Sequence, residues 1–221
     1  MGDLLGKEGV LPEEKHIMQT AIMRIAANCG RWFFKMRSYT PIPIILIMLF
    51  CFRWELENEI LVWSCGPFLL VCGEGLRLWS LRYIGKFSRT RKKKARVLVT
   101  AGPYALIRNP LYLGNLLILV GFAVMSKLVW LIPVIIILFF IQYQCIVLWE
   151  EDCLREFFPS AAEDYFRRVP RWLPNLSGFV NYPQHFPRPY YAWANVLIRE
   201  RSTLQGIIMG CIAMMVKEFI S

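Results

Sequence analysis

"LIRNPLYLGNLLILVGF", Leu106 to Phe122, sets an arginine, an asparagine and a proline directly before a long apolar run. Asn109 is a favoured N-cap, and Pro110 suits the first helical position, where its missing amide is no loss. A helix is therefore predicted from 110, with a composition suited to a bilayer. The same junction is a candidate site. The amides of Leu111, Tyr112 and Leu113 fall in the first turn, with the positive end of the helix dipole behind them, and such an end attracts anions. Arg108 adds a planar fork that matches a carboxylate. The plainer reading is an arginine on lipid phosphate and an asparagine that only caps.

The surrounding chain supports a membrane fold. Its 221 residues are 56% hydrophobic, with a mean hydropathy of +0.41, too apolar for a soluble chain of this size. The expectation is an all-α, multispan transmembrane bundle of four to five spans. The apolar run continues to about 126, and only Ser126-Lys127 separates it from the next, at about 128–149. Helices joined so tightly form an antiparallel hairpin. Upstream, spans are expected at about 40–54 and 60–81, separated by the acidic "ELENE" (55–59) and followed by the basic "RYIGKFSRTRKKKAR" (82–96). Residues 11–37 read as an amphipathic helix at the membrane surface. After the hairpin, "SAAE" reads as a capping box with Ser160 as N-cap and Glu163 at N3, residues 171–192 as an ordered loop, and 203–217 as an apolar helix that either crosses the bilayer, if its flanks extend it to ~20 residues, or lies half-embedded. This divides the chain into an interfacial helix (1–38), a membrane core with a cytoplasmic pocket (39–202) and a hydrophobic C-terminal helix (203–221).

The net charge is +10, but the cations gather beside apolar segments, which argues for membrane topology and against nucleic acid. The basic 82–96 loop is expected in the cytoplasm, with Arg108, Glu150-Glu151 and the N-terminus on the same face and 55–59 outside. The charged N-terminus is unlike a cleaved signal peptide. A bacterial cytoplasmic membrane is favoured over the endoplasmic reticulum on size. Seven cysteines without CxxC pairing read as buried hydrophobes, and two distant histidines (His16 and His185) make a metal site improbable.

Three other constellations carry chemistry. "CGEGLRLW" (72–79) puts Glu74 and Arg77 inside an apolar span, where ionisable groups usually face a cavity or a partner. Gly73 and Gly75 beside them allow close approach by a ligand or another backbone; the bland alternative is an i,i+3 ion pair with glycines serving helix packing. Glu150-Glu151 closes a helix whose dipole opposes them, so a bound cation would relieve the site; the alternative is a solvated end with Glu151 paired to Arg155. Tyr104, Tyr112, Phe157, Phe158, Tyr165 and Trp172 offer aromatic faces that can hold an adenine or a sulfonium, although most such residues form interfacial belts.

"LVTAGPYALIRNPLYLGNLLILVGF" (98–122), followed by "EEDCLREFFPSAAEDYFRRVPRWLP" (150–174), resembles the membrane methyltransferases that group isoprenylcysteine carboxyl methyltransferases with phospholipid N-methyltransferases. The likeness runs from about Gly73 to Pro174, and "GEG" (73–75) is similar to the glycine motif of the phospholipid members. Where the family usually has histidine after the arginine, this chain has Asn109, which can cap and donate hydrogen bonds but cannot act as acid or base. The resemblance implies an S-adenosylmethionine-dependent enzyme acting on a lipophilic acceptor, either a phospholipid head group or a prenylcysteine-like carboxylate. It implies that the cofactor's carboxylate meets Arg108 and the helix start at Asn109, Tyr112, Leu113 and Gly114. Its ammonium and sulfonium would meet Glu150 and Glu151, and its adenine Tyr104 or Phe158, with Gly73, Glu74 and Gly75 alongside. Arg108, Asn109 and Glu151 are then the expected catalytic residues. If the acceptor is an ammonium, Glu74 or Glu151 could take its proton. Two rivals remain: an NADPH-dependent reductase of sterol or enone type, disfavoured by paired carboxylates facing a polyanion, and a non-enzymatic scaffold.

Overall fold

A computed structural model describes residues 29–53, 55–85, 98–175 and 189–220. They are helical, with no strand among them. The helices are α1 (Ile42–Phe50), α2 (Glu59–Ile84), α3 (Pro110–Met125), α4 (Leu131–Phe157), α5 (Pro159–Arg168) and α6 (Trp193–Ile220), with a short 3-10 helix at Gly102–Ala105. Among the described residues, α2, α4 and α6 are long and apolar enough to cross a membrane; α3, with 16 residues, is a shorter apolar helix. At about 1.5 Å per residue α3 covers ~24 Å.

Charged residues mark the two ends of the bundle. At one end Arg108 meets Glu151. At the other, Lys127 bonds Glu218 at 2.5 Å, and Lys217 pairs with Glu55 at 2.7 Å. The helices α2, α3, α4 and α6 run alternately between these ends. The tight hairpin is present: α3 ends at Met125, and Lys127 turns the chain with a left-handed backbone (φ 64°).

The single long helix expected over 40–54 is absent. Residues 29–36 are helical, a turn occupies 37–41, and α1 is only 9 residues long, too short to cross by itself. Pro41 and Pro43 explain the break, because proline cannot supply the amide that would continue a helix through them. The C-terminal helix departs the other way: it has 28 residues and begins at Trp193, ten positions before the apolar run. Glu200 and Thr203 hide its beginning from a hydropathy reading because they point inward to Arg77. Residues 1–28 lie outside the described part, so most of the amphipathic N-terminal segment does too, as do most of the basic loop (86–97) and of the 171–192 segment (176–188).

Two glycine pairs weld α2 to α3. A Cβ on Gly73 would come within 2.8 Å of the Gly114 carbonyl, and one on Gly114 within 2.7 Å of the Gly73 carbonyl. Nearer the Lys127 end, a Cβ on Gly121 would sit 3.0 Å from the Gly66 carbonyl. Such contacts bring helix backbones together without needing a hydrophobic drive, which lipid does not supply. One apolar core joins Met48, Leu70, Ala123, Leu128, Ile135 and Met214; a second joins Phe34, Tyr112, Phe139, Tyr143, Ile146 and Val147. Phe68, Val71, Ile137, Ile141, Met209 and Phe219 point outward and form a face suited to acyl chains.

Candidate functional site

The chain entering α3 is fixed from both sides. Gly102 has φ 63° and lies against the Tyr83 ring, so any Cβ there would clash. Residues 106–108 are tied to the segment after α5 by backbone bonds from Arg108 N to Pro170 O (3.0 Å) and from Asn175 N to Leu106 O (2.9 Å). Arg108 is consequently enclosed. Its Nε donates to Val169 O (2.6 Å), one terminal nitrogen to Phe166 O (3.1 Å) and the other to Glu151 Oε1 (2.7 Å).

Glu151 is buried and also accepts two bonds from Arg171, at 3.0 and 2.7 Å. Arg108, Glu151 and Arg171 thus form a triad of two cations around one carboxylate. The sequence reading places Arg108 and Glu151 on one face of the membrane and at opposite ends of a ligand. They bind each other instead. Arg155, the other candidate partner of Glu151, pairs with Asp152 and Glu163. Glu163 is therefore no capping residue: Pro159 takes the first position of α5, the N-cap falls on Phe158, and no side chain caps the helix.

Glu150 differs from its neighbour. Its Oε1 accepts from the Tyr112 hydroxyl at 2.8 Å, and Arg37 is near enough to both residues to act on them electrostatically. Tyr104, in the 3-10 helix, is 6% exposed, and its hydroxyl has no hydrogen-bond partner among the described residues. Burial pushes that phenol well above its ordinary pKa, so it stays a neutral donor. Its backbone carbonyl accepts from Tyr165 Oη at 2.8 Å.

Deeper in the bundle, Arg77 reaches Glu74 (3.2 Å), Glu200 (2.8 Å) and Thr203 (3.3 Å) and also bonds Asn115. Asn115 donates in turn to Tyr143 Oη at 3.4 Å. Arg77, Asn115, Tyr112, Tyr143 and Glu200 border a cavity of about 1150 Å³, whose wall also includes Lys35, Arg37 and Gln142 and apolar residues such as Ile44, Ile118, Phe122 and Ile135. The turn at 37–41 lies along it, which accounts for non-helical backbone within the bundle: such backbone is tolerated where it lines a cavity.

Several expected residues stand elsewhere. Asn109 occupies the N-cap of α3, but its side chain makes no cap bond and donates to Arg171 O at 3.1 Å. The amides of Tyr112 and Leu113 are closed on Asn109 O, so of the three first-turn amides only that of Leu111 is left for an anion. Gly73 and Gly114 are consumed by helix packing, and Gly75 faces outward with nothing within 4 Å of a Cβ placed there. Phe158 sits at the α4–α5 junction, whereas the ring over Arg108 is Phe166, 4.9 Å away. Sequence reasoning missed Arg171, Phe166, Asn115, Glu200 and Gln142. A polar residue amid "FFIQYQC" (139–145) was the one visible sign of the last.

A stretch of 100 residues covering most of this arrangement resembles known proteins. Residues 62–161 match the phospholipid methyltransferase family. The "GPY…RNP" and "EE" motifs fall within the matched stretch, which is consistent with a likeness to the wider superfamily of membrane methyltransferases. Two curated relatives are similar over nearly the same length. The cobalt-zinc-cadmium resistance protein CzcN of Cupriavidus metallidurans is 38% identical over 101 residues, 46% of this chain and 44% of the relative. The nickel-cobalt-cadmium resistance protein NccN of Alcaligenes xylosoxydans xylosoxydans is 35% identical over 103 residues, 47% of this chain and 45% of the relative. The match thus spans less than half the length of either. No solved structure matches the chain. Helix α6, which supplies Glu200, lies beyond the phospholipid methyltransferase match.

Proposed function

We propose that the protein is an integral membrane methyltransferase that uses S-adenosylmethionine to methylate a lipophilic acceptor. The observation that carries this reading is the continuity, inside a phospholipid methyltransferase domain, of a charged pocket with a lipid-sized cavity: Tyr112 bonds Glu150 on one side and borders the cavity on the other.

The residues fit the cofactor in revised roles. Glu150, bound by a neutral tyrosine, is a better partner for a cationic amine or sulfonium than Glu151, which two arginines already neutralise. The triad keeps one net positive charge and attracts a carboxylate without Arg108 having to stand free. Tyr104 Oη is a buried donor in want of an acceptor such as a ribose or adenine atom. When bound, S-adenosylmethionine supplies an electrophilic methyl group. The protein's share is to exclude water and align the acceptor's nucleophile, which requires no catalytic triad. Glu150, and not Asn109, is then the group positioned to receive a proton. The active site faces the cytoplasm in this reading, and the acceptor occupies the cavity from the lipid side.

Calorimetry on detergent-purified protein tests the proposal. S-adenosylmethionine is expected to bind and NADPH to be silent; labelled methyl groups then appear in the lipid extract of cells carrying the gene. Binding of NADPH would favour the reductase, and binding of neither the scaffold.

A further inference from the structure

We infer that Gln142 is a specificity-determining residue that reads the ester carbonyl of an acyl lipid held in the cavity. This rests on the cavity being the acceptor site. Gln142 lies on α4 and borders the cavity; it is 9% exposed, and its Nε2 is buried without a hydrogen-bond partner among the described residues. A bilayer interior has no water to satisfy such a donor, so an oxygen must come from whatever fills the space. Its polar neighbours are committed elsewhere: Asn115 serves Arg77 and Tyr143, and Tyr112 serves Glu150.

The chemistry of that oxygen follows from its surroundings. Gln142 is a neutral donor flanked on the cavity wall by Ile135, Leu138 and Phe139, which suits a neutral carbonyl. An anionic oxygen would instead seek the cations that border the cavity where residues 33–38 meet Tyr112, Lys35 and Arg37. Depth gives the rest. Gln142 precedes Glu150 by eight positions, about 12 Å along a helix. A lipid with its polar head at Arg37 and Glu150 therefore presents to Gln142 the group below the head and, beyond it, only chain. In a glycerolipid that group is an acyl ester; a prenyl chain has no oxygen there. The geometry thus separates the two acceptor classes that the sequence leaves open.

The full-length protein in detergent, titrated with dioleoyl phosphatidylethanolamine and with its dioleyl ether analogue, tests this by native mass spectrometry. The probes share a head group and differ at the carbonyl. The wild type is expected to bind the ester about fivefold more tightly, the worth of about one net hydrogen bond. Gln142→Leu is expected to bind both at the wild-type level for the ether. Equal wild-type affinity for the two lipids overturns the inference without need of any variant, as does a preference that survives in Gln142→Leu. Binding of neither lipid removes the cavity as acceptor site, and the inference with it, while calorimetry with S-adenosylmethionine still judges the methyltransferase reading separately.

Discussion

Two ionic clusters of opposite make-up lie within this bundle. Around Glu151, two arginines share one carboxylate; around Arg77, two carboxylates share one guanidinium. The first also binds the carbonyls of Val169 and Phe166, so it fastens the segment after α5 across the start of α3. The second borders a cavity through Arg77 and Glu200 and leaves Glu74 Oε1 buried without a partner among the described residues. Similar residue types thus do different work. The cluster around Glu151 ties chain segments together, and the one around Arg77 joins two helices at the wall of the cavity.

The largest expected effect tests the first cluster. Glu151→Ala leaves the half-buried Arg108 and Arg171 with no carboxylate between them, a loss of about 3 kcal/mol, the lower end for breaking a buried pair, that thermal unfolding in detergent would register. An unchanged midpoint would mean that the triad fastens nothing. Glu200→Gln tests the second. Arg77 keeps Glu74 but loses one charge-assisted bond, worth about 1.5–3 kcal/mol. Its sharper readout is functional: labelled methyl incorporation should fall while calorimetric affinity for S-adenosylmethionine stays unchanged. If the affinity falls as well, the division into cofactor side and acceptor side is wrong. Gly114→Ala pushes a methyl group into Arg77 and the Gly73 carbonyl and is expected to cost about 1–3 kcal/mol by overpacking, seen as a lower unfolding midpoint. The smallest change is Gly75→Ala, which meets nothing and should stabilise α2 by about 0.5–1 kcal/mol with cofactor affinity intact. A fall in that affinity would return Gly75 to the site.

What could be read from the sequence was mostly local. Asn109-Pro110 marks the start of α3 because the fixed proline φ acts locally, even though the Asn109 side chain makes no cap bond. Ser126-Lys127 marks a hairpin because the apolar runs on either side leave room for nothing else. The site was legible as a set of residue types but not as a set of partners. Arg108 and Glu151 are 43 positions apart and Arg171 another 20 on, so only the folded chain shows that they satisfy one another. Gly73 and Gly114 illustrate the same limit: a glycine beside a carboxylate suits a ligand and a neighbouring helix equally well until the neighbour is in place. The capping box failed for a nearer reason. Pro159 takes the first helical position by itself and moves the boundary off Ser160.

The junction of Glu200 and Arg77 governs how the bundle can be built. Released singly into lipid during synthesis, α2 would hold Arg77 with Glu74 alone to answer it, and α6 would carry the Glu200 carboxylate without Arg77, which is disfavoured there. Glu200 is 1% exposed once the two helices meet, so α6 gains a partner for its buried carboxylate only when it docks on α2. Since α6 follows α2 in the chain, its docking brings the second carboxylate to Arg77, and a chain halted before Glu200 would leave Arg77 with Glu74 alone.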